Sequence, residues 1–147
     1  MNAWLGVVSH AHVQRGVRGG FAQVCHGKAQ PLRRMKRGDW LVYYSPSVEL
    51  NGDSLRAFTA VGQVEDDEVY TYDSGGGFVP FRRRVRYLAT QKNVPLASLK
   101  SELDLCAGPN WGMALRRGHL PLTARDFTTI ARAMGARGRA PWQVSAA

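Results

Sequence analysis

The sequence predicts an α+β domain, a set of strands wrapped by short helices, and three observations lead there. Four short apolar or alternating runs, residues 3–9, 40–45, 58–64 and 81–87, are separated by turn residues. Apolar residues then recur at helical spacing through the last third of the chain. No apolar run reaches the roughly 18 residues that cross a bilayer. A length of 147 residues fits one domain, expected over residues 1–136 with a C-terminal tail at 137–147.

Residues 3–9 form an apolar run suited to a buried strand. Residues 10–18 read as a helical turn ended by Gly19-Gly20, and residues 21–28 as an irregular stretch. A second helical turn is expected at 31–36, because proline suits a first helical position. Gly38-Asp39 turns the chain into Trp40-Leu41-Val42-Tyr43-Tyr44-Ser45, a strand with both faces covered. Asn51-Gly52-Asp53 is a hairpin signal. The strand at 58–64 carries Gly62, the mark of a bulge or a close backbone approach. The acidic run 65–68 reads as a solvated loop and 73–77 as a flexible link. In 81–87, Phe81, Val85 and Tyr87 share one face with Arg83 as an exception, while Arg82, Arg84 and Arg86 occupy the other. The last third is helical: Leu96, Leu99 and Leu103 mark one helix, and Asn110 caps another that carries Trp111 and Leu115 and stops at Gly118. Thr123 to Asp126 resembles a capping box before Phe127, Ile130, Ala131 and Met134, with Gly135 closing the helix. Trp142 is the one residue expected to tie down the tail.

Charge is the strongest compositional signal. Twenty Lys and Arg face 11 acids, for a net charge of +9, and sixteen of the bases are Arg. The guanidinium fork grips phosphate in two places where an ammonium acts as a point charge. Lys28, Arg33, Arg34, Lys36 and Arg37 form one block without an acid, and Arg82, Arg83, Arg84 and Arg86 form another. The competing reading is a solubilising surface. Two basic blocks in so small a domain favour an anionic partner. No helix sets a basic face against Trp and Leu, so a membrane surface is not the expected partner.

Motifs for chemistry are weak. Cys25-His26 invites a nucleophile reading, but sequence neighbours seldom present side chains to each other, and no orienting carboxylate is indicated. His10 and His12 lack a third ligand, and Cys25 and Cys106 make neither a disulfide framework nor a zinc quartet. Gly75-Gly76-Gly77 opens no helix after a strand and is no phosphate loop. No metal or cofactor is expected. Trp40, Tyr43, Tyr44 and Trp111 would ordinarily be core. Tyr43-Tyr44-Ser45 with bases upstream also supplies the parts of a base-stacking pocket.

An ordered set of segments resembles a known family. Residues 3–9 open like the first strand of an EVE domain, of the PUA-like group. Residues 21–28, then 31–45 (Pro-Leu-Arg-Arg-Met-Lys-Arg-Gly-Asp-Trp-Leu-Val-Tyr-Tyr-Ser), resemble its pocket segment, and Trp111-Gly112-Met113 through His119 to Leu122 and Asp126-Phe127 its closing helices. The likeness runs from Trp4 to about Met134. It implies a PUA-like mixed β-barrel flanked by short helices, related to domains that bind RNA or flipped modified bases. Carried over by position, Ser9, Phe21, Gln23, Val24, Cys25 and His26 would wall a pocket opposite Tyr43, Tyr44 and Ser45, with Trp111 joining the ligand-binding set. Lys28, Arg33, Arg34 and Lys36, together with Arg82, Arg84 and Arg86, would hold a nucleic-acid backbone. Better-known members carry Lys-Ser-Glu-Pro after the first strand and Trp-x-Gly-Val-Arg-Asn at the pocket. Here those places read Val8-Ser9-His10-Ala11 and Phe21-Ala22-Gln23-Val24-Cys25-His26.

The leading expectation is therefore a monomeric, cytoplasmic, non-catalytic domain that binds RNA or modified DNA. It would seat a base in an aromatic pocket while Arg and Lys hold the backbone. A sensor of small nucleobase-like molecules is the first alternative, and an enzyme using Cys25 and His26 the second.

Overall fold

The computed structural model describes residues 2–137, so Trp142 and all but the first residue of the expected tail lie outside the described residues. Eight strands make one mixed sheet: β1 (Ala3–Val7), β2 (Phe21–Ala22), β3 (Trp40–Ser47), β4 (Ser54–Val64), β5 (Tyr70–Thr71), β6 (Phe81–Tyr87), β7 (Val94–Pro95) and β8 (His119–Leu122). Their order is β2-β6-β4-β3-β1-β8, with β5 added to β6 and β7 to β4. The sheet curls into the half-barrel of the expected PUA-like architecture. β1 and β3 run parallel, which requires a crossover, and α1 (His10–Gly19) and α2 (Ala29–Arg33) supply it. α3 (Leu96–Leu99), α4 (Trp111–Ala114) and α5 (Ala124–Met134) follow in the last third.

Alternation along the central strands builds two cores. Leu5, Trp40, Val42, Tyr44 and Phe58 face one way and meet Leu96 and Leu99 of α3 and Phe127, Ile130 and Met134 of α5. Trp4, Leu41, Tyr43 and Ala60 face the other way and meet Val13 of α1, Leu32 of α2 and Val85 of β6. Both faces of β3 are thus covered, as its unbroken apolar run predicts.

The ends of elements differ from the sequence reading for local reasons. α2 starts two residues before Pro31, whose missing N–H still falls among the first-turn donors that no helix satisfies. β4 begins at Ser54, where hairpin pairing with β3 extends it beyond its apolar part. Gly62 marks a close approach and not a bulge: a Cβ there would lie 2.5 Å from Val85 Cγ1. Register shifts come earlier, where Tyr43 pairs with Ala60 but Tyr44 with Phe58, and again between Ser45 and Ser47. β5 lies between the acidic run 65–68 and the link 73–77, in a stretch to which the sequence reading gave no element, and α3 is only four residues long, with Leu103 buried beyond it. Asn110 precedes α4 but makes no side-chain cap bond.

Two buried charges tie these parts together. Asp39, of the Gly-Asp turn, accepts from Trp4 Nε1 (3.0 Å) and from the backbone N–H groups of Asn2 (3.0 Å) and Lys36 (2.9 Å), fixing β1 beside β3. Arg83, the odd residue on the inner face of β6, donates to the carbonyls of Leu32 (2.7 Å) and Met35 (2.5 Å) and to the Asp66 carboxylate (2.8 Å). The run 65–68 is therefore not a freely solvated loop, since Asp66 neutralises this guanidinium. Only half of the expected capping box forms. Thr123 accepts from the Asp126 N–H at 3.1 Å, while the Asp126 carboxylate turns instead to the N–H groups of Asp104 and Leu105, at 2.7 and 2.8 Å.

Candidate functional site

A cleft of about 1090 Å³ opens between α1, the loop from Gln23 to Lys28, the end of β1 and the 3-10 turn Leu115–Arg117. Its inner surface is partly apolar, with Val7, Val8, Val24 and Pro31. Arg15, Lys28, Arg34, Arg116 and Arg117 line it, and among the described residues no Asp or Glu does. Walls of one sign around a low-dielectric recess concentrate anions. Leu50 and Phe78, both exposed, stand at the rim.

Behind the cleft wall, Gly6 of β1 lets the core close tightly: a Cβ there would press on the Tyr43 ring at 2.8 Å and on Val24 Cγ1 at 3.2 Å. His119 of β8 pairs with Gly6 and shares its face. Its ring stacks on Trp4 at 5.1 Å and 13°, and Arg34 lies over the same indole at 4.9 Å. His119 is only 3% exposed, and both ring nitrogens are enclosed with no hydrogen-bond partner among the described residues. Burial, and then the Arg34 charge, push its pKa down to about 4, so the imidazole is neutral at pH 7. Leaving such a group unmet costs about 1–3 kcal/mol, and groups of this kind in native proteins usually have a reason.

The opposite wall is a chain of fixed polar groups. His12 Nε2 lies 3.2 Å from the Gln23 carbonyl, so that nitrogen must carry the hydrogen; the bare Nδ1 then accepts from Arg15 at 3.3 Å. Burial and the Arg15 charge lower the His12 pKa. The Gln23 side-chain oxygen accepts from Arg82 Nε at 3.0 Å, which leaves its NH2 as the group it can offer to the cleft. Arg82 itself is held between the rings of Phe21 (3.7 Å) and Tyr72 (3.8 Å).

Cys25, His26 and Gly27 follow as a left-handed turn, with φ of 51°, 60° and 81°. Cys25 Sγ donates to the Arg117 carbonyl at 3.6 Å, clasping the loop to the far wall. Burial raises the Cys25 pKa despite Lys28 and Arg34, so the thiol stays protonated at neutral pH. A protonated thiol beside an exposed His26 is poorly set for nucleophilic attack.

Of the residues singled out in the sequence, Ser9, Gln23, Val24, Cys25, His26, Lys28 and Arg34 meet at this cleft. Others go elsewhere. Tyr43 is 1% exposed in the second core, where burial pushes its pKa up to about 12, and Tyr44 packs edge-on to Phe58 in the first. Ser45 is fully buried and bonded to Thr59 at 2.8 Å. None of the three lines the cleft, because a strand covered on both faces shows no ring to solvent. Phe21 covers Arg82 and does not face the cleft, and Trp111 sits under Lys100 at 5.3 Å. Arg33 lies over Phe81 at 5.7 Å, and Lys36 is exposed outside the cleft. Arg84 lies over Tyr70, and Arg86 donates to Gln63 at 2.9 Å, so the β6 row is a separate basic surface. Sequence reasoning missed Arg15, Arg116, Arg117 and His119. The run Arg116-Arg117-Gly118-His119 was the available signal, a basic pair at a helix stop.

A scan against family models matches the EVE domain over residues 2–133. The chain belongs to the EVE family. Among curated relatives, this EVE domain is 45% identical to UPF0310 protein YdcG of Bacillus subtilis, over 91% of this chain and 92% of that protein. It is 50% identical to UPF0310 protein msl3206 of Mesorhizobium japonicum, over 90% and 91%. Solved structures of the same fold include Rpa0253 of Rhodopseudomonas palustris, with a TM-score of 0.58 and 20% identity over 92% of this chain and 93% of that one. They also include human THYN1 in complex with DNA containing 5-methylcytosine, with a TM-score of 0.53 and 16% identity over 94% and 100%. Among the described residues no helix is long and apolar enough to cross a membrane.

Proposed function

We propose that this EVE domain binds nucleic acid without catalysing a reaction, seating a base in the cleft while the surrounding cations hold the backbone. The observation that carries the reading is the cleft's lining of five cations and no carboxylate around a partly apolar recess. Phosphate would meet Arg15, Lys28, Arg34, Arg116 and Arg117, and a base would meet the valines, Gln23 and His119. A fold neighbour whose structure holds DNA containing 5-methylcytosine supports DNA, modified DNA included, as the class of partner. This reading does without the aromatic platform expected at Tyr43 and Tyr44, whose rings are buried in the two cores.

Fluorescence anisotropy with labelled 12-nucleotide DNA and RNA, with and without 5-methylcytosine, tests it. Binding at low salt that weakens steeply on adding salt is expected. Absence of binding to every oligonucleotide at low salt would sink the reading. Salt-insensitive binding of a free nucleoside would favour a small-molecule sensor instead.

A further inference from the structure

We infer that Phe78 is a stacking ledge at the mouth of the cleft. It takes the face of the base next to the one seated inside, so that the domain engages an unpaired stretch and not a lone nucleotide. The inference rests on the nucleic-acid reading and adds to it a contact outside the recess and the form of strand that it suits.

Three observations carry it. Phe78 is 50% exposed, yet its place is fixed. A Cβ on Gly27 would lie 3.3 Å from Phe78 Cζ and 2.6 Å from Pro80 Cβ, so this glycine lets the β5–β6 hairpin close onto the loop that walls the cleft. The hairpin tip is tied as well. The Tyr72 N–H donates to the Pro80 carbonyl at 3.0 Å, and the Ser74 N–H and hydroxyl both donate to the Phe78 carbonyl, at 3.1 and 2.6 Å. The Gly75 N–H donates to the Asp73 carboxylate at 2.9 Å. A Cβ on Gly75, Gly76 or Gly77 would meet nothing within 4 Å, so the tip stands clear of the body.

Charge indicates what lies on such a ring. Gly27 leads directly into Lys28 of the cleft lining, which holds five cations and, among the described residues, no carboxylate. Leu50, exposed on the β3–β4 hairpin, adds a second apolar point to the same mouth. Apolar surface beside cations matches a strand in which phosphates alternate with flat bases, and an aromatic ring accepts any base by its face. A base inside a closed duplex has both faces covered by its neighbours, so the ledge suits unpaired nucleotides. It makes no contact with a base edge and therefore selects no sequence.

The test measures binding of wild type, Phe78→Ser and Phe78→Trp to three labelled ligands. These are a 12-nucleotide DNA strand of mixed sequence, the same sugar-phosphate backbone with every base removed, and the blunt duplex of that strand. Phe78→Ser should bind the strand at least about fivefold more weakly, the lower end for one stacked base, with the slope of log K against log salt unchanged. Phe78→Trp should hold the wild-type affinity or exceed it. On the baseless backbone and the duplex, where the cations act alone, Phe78→Ser should match wild type within about twofold, which also shows that the variant is folded. Undiminished affinity of Phe78→Ser for the strand overturns this inference alone. A loss of equal size on the baseless backbone also overturns it, since the ring would then support the cleft and not a base. So does an equal loss on the duplex, which would make the ring a wedge between paired bases. Failure of wild type to bind any of the three would remove the nucleic-acid reading itself.

Discussion

His119 is neutral in the folded protein because burial and the Arg34 charge oppose a proton, and this links the cleft to stability. Its pKa falls from 6.5 to about 4 on folding, so between these values the unfolded chain binds more protons than the native one. Stability from this residue is complete above about pH 6.5 and is lost as pH falls towards 4, by about 3 kcal/mol in full. His12, lowered by its own burial and by Arg15, acts in the same direction. Urea unfolding of wild type and His119→Phe at pH 7.5 and 4.5 should show a smaller acid loss in the variant. Parallel losses would contradict the assignment. Arg83 gives the opposite kind of prediction. Arg83→Met leaves three carbonyls (Leu32, Met35 and Asp66) and the Asp66 carboxylate without their donor, and should cost about 3 kcal/mol in the same assay.

At the scale of elements, strand β3 shows how far sequence logic reached and where it was set aside. The unbroken run Trp40 to Ser45 indicated a strand buried on both faces, and it is one. That same reading already argued against Tyr43 and Tyr44 as a solvent-facing stack, since alternation sends them to opposite, covered faces. The helix α5, its Thr123 cap and the Gly135 stop were legible because their signals are local. Half of the cleft was not legible. Arg15 is far in sequence from Arg116, Arg117 and His119, and it meets them only because β8 pairs with β1 while α1 crosses nearby. No periodicity reports such a pairing. The loop at Cys25 to Gly27 was likewise invisible, because two non-glycine residues at positive φ contradict local preference. His26 is exposed, so His26→Gly relieves the left-handed conformation without removing packing and should raise stability by about 1 kcal/mol. A thermal melt that falls would show that the turn is not strained.

Over the whole molecule, a net charge of +9 divides into two surfaces with different work. The β6 arginines lie outside the cleft, Arg82 with Phe21, Tyr72 and Gln23, Arg84 with Tyr70, and Arg86 with Gln63, much as Arg34 and Arg15 of the cleft rest on Trp4 and His12. The cleft cations surround a recess that holds no acid. In the proposed function anion binding belongs to the second group, and the salt dependence of binding to a 12-nucleotide single strand is the measurement that tests it. With three to five phosphates neutralised, the slope of log K against log salt should lie near about −2 to −4 for wild type. Replacing Arg34 and Arg116 by Ser should bring it closer to zero by about 1.4, at roughly 0.7 for each phosphate no longer neutralised, while replacing Arg84 and Arg86 by Ser should leave it in place. A slope unchanged by the cleft pair but flattened by the β6 pair would put anion binding on β6 and not in the cleft.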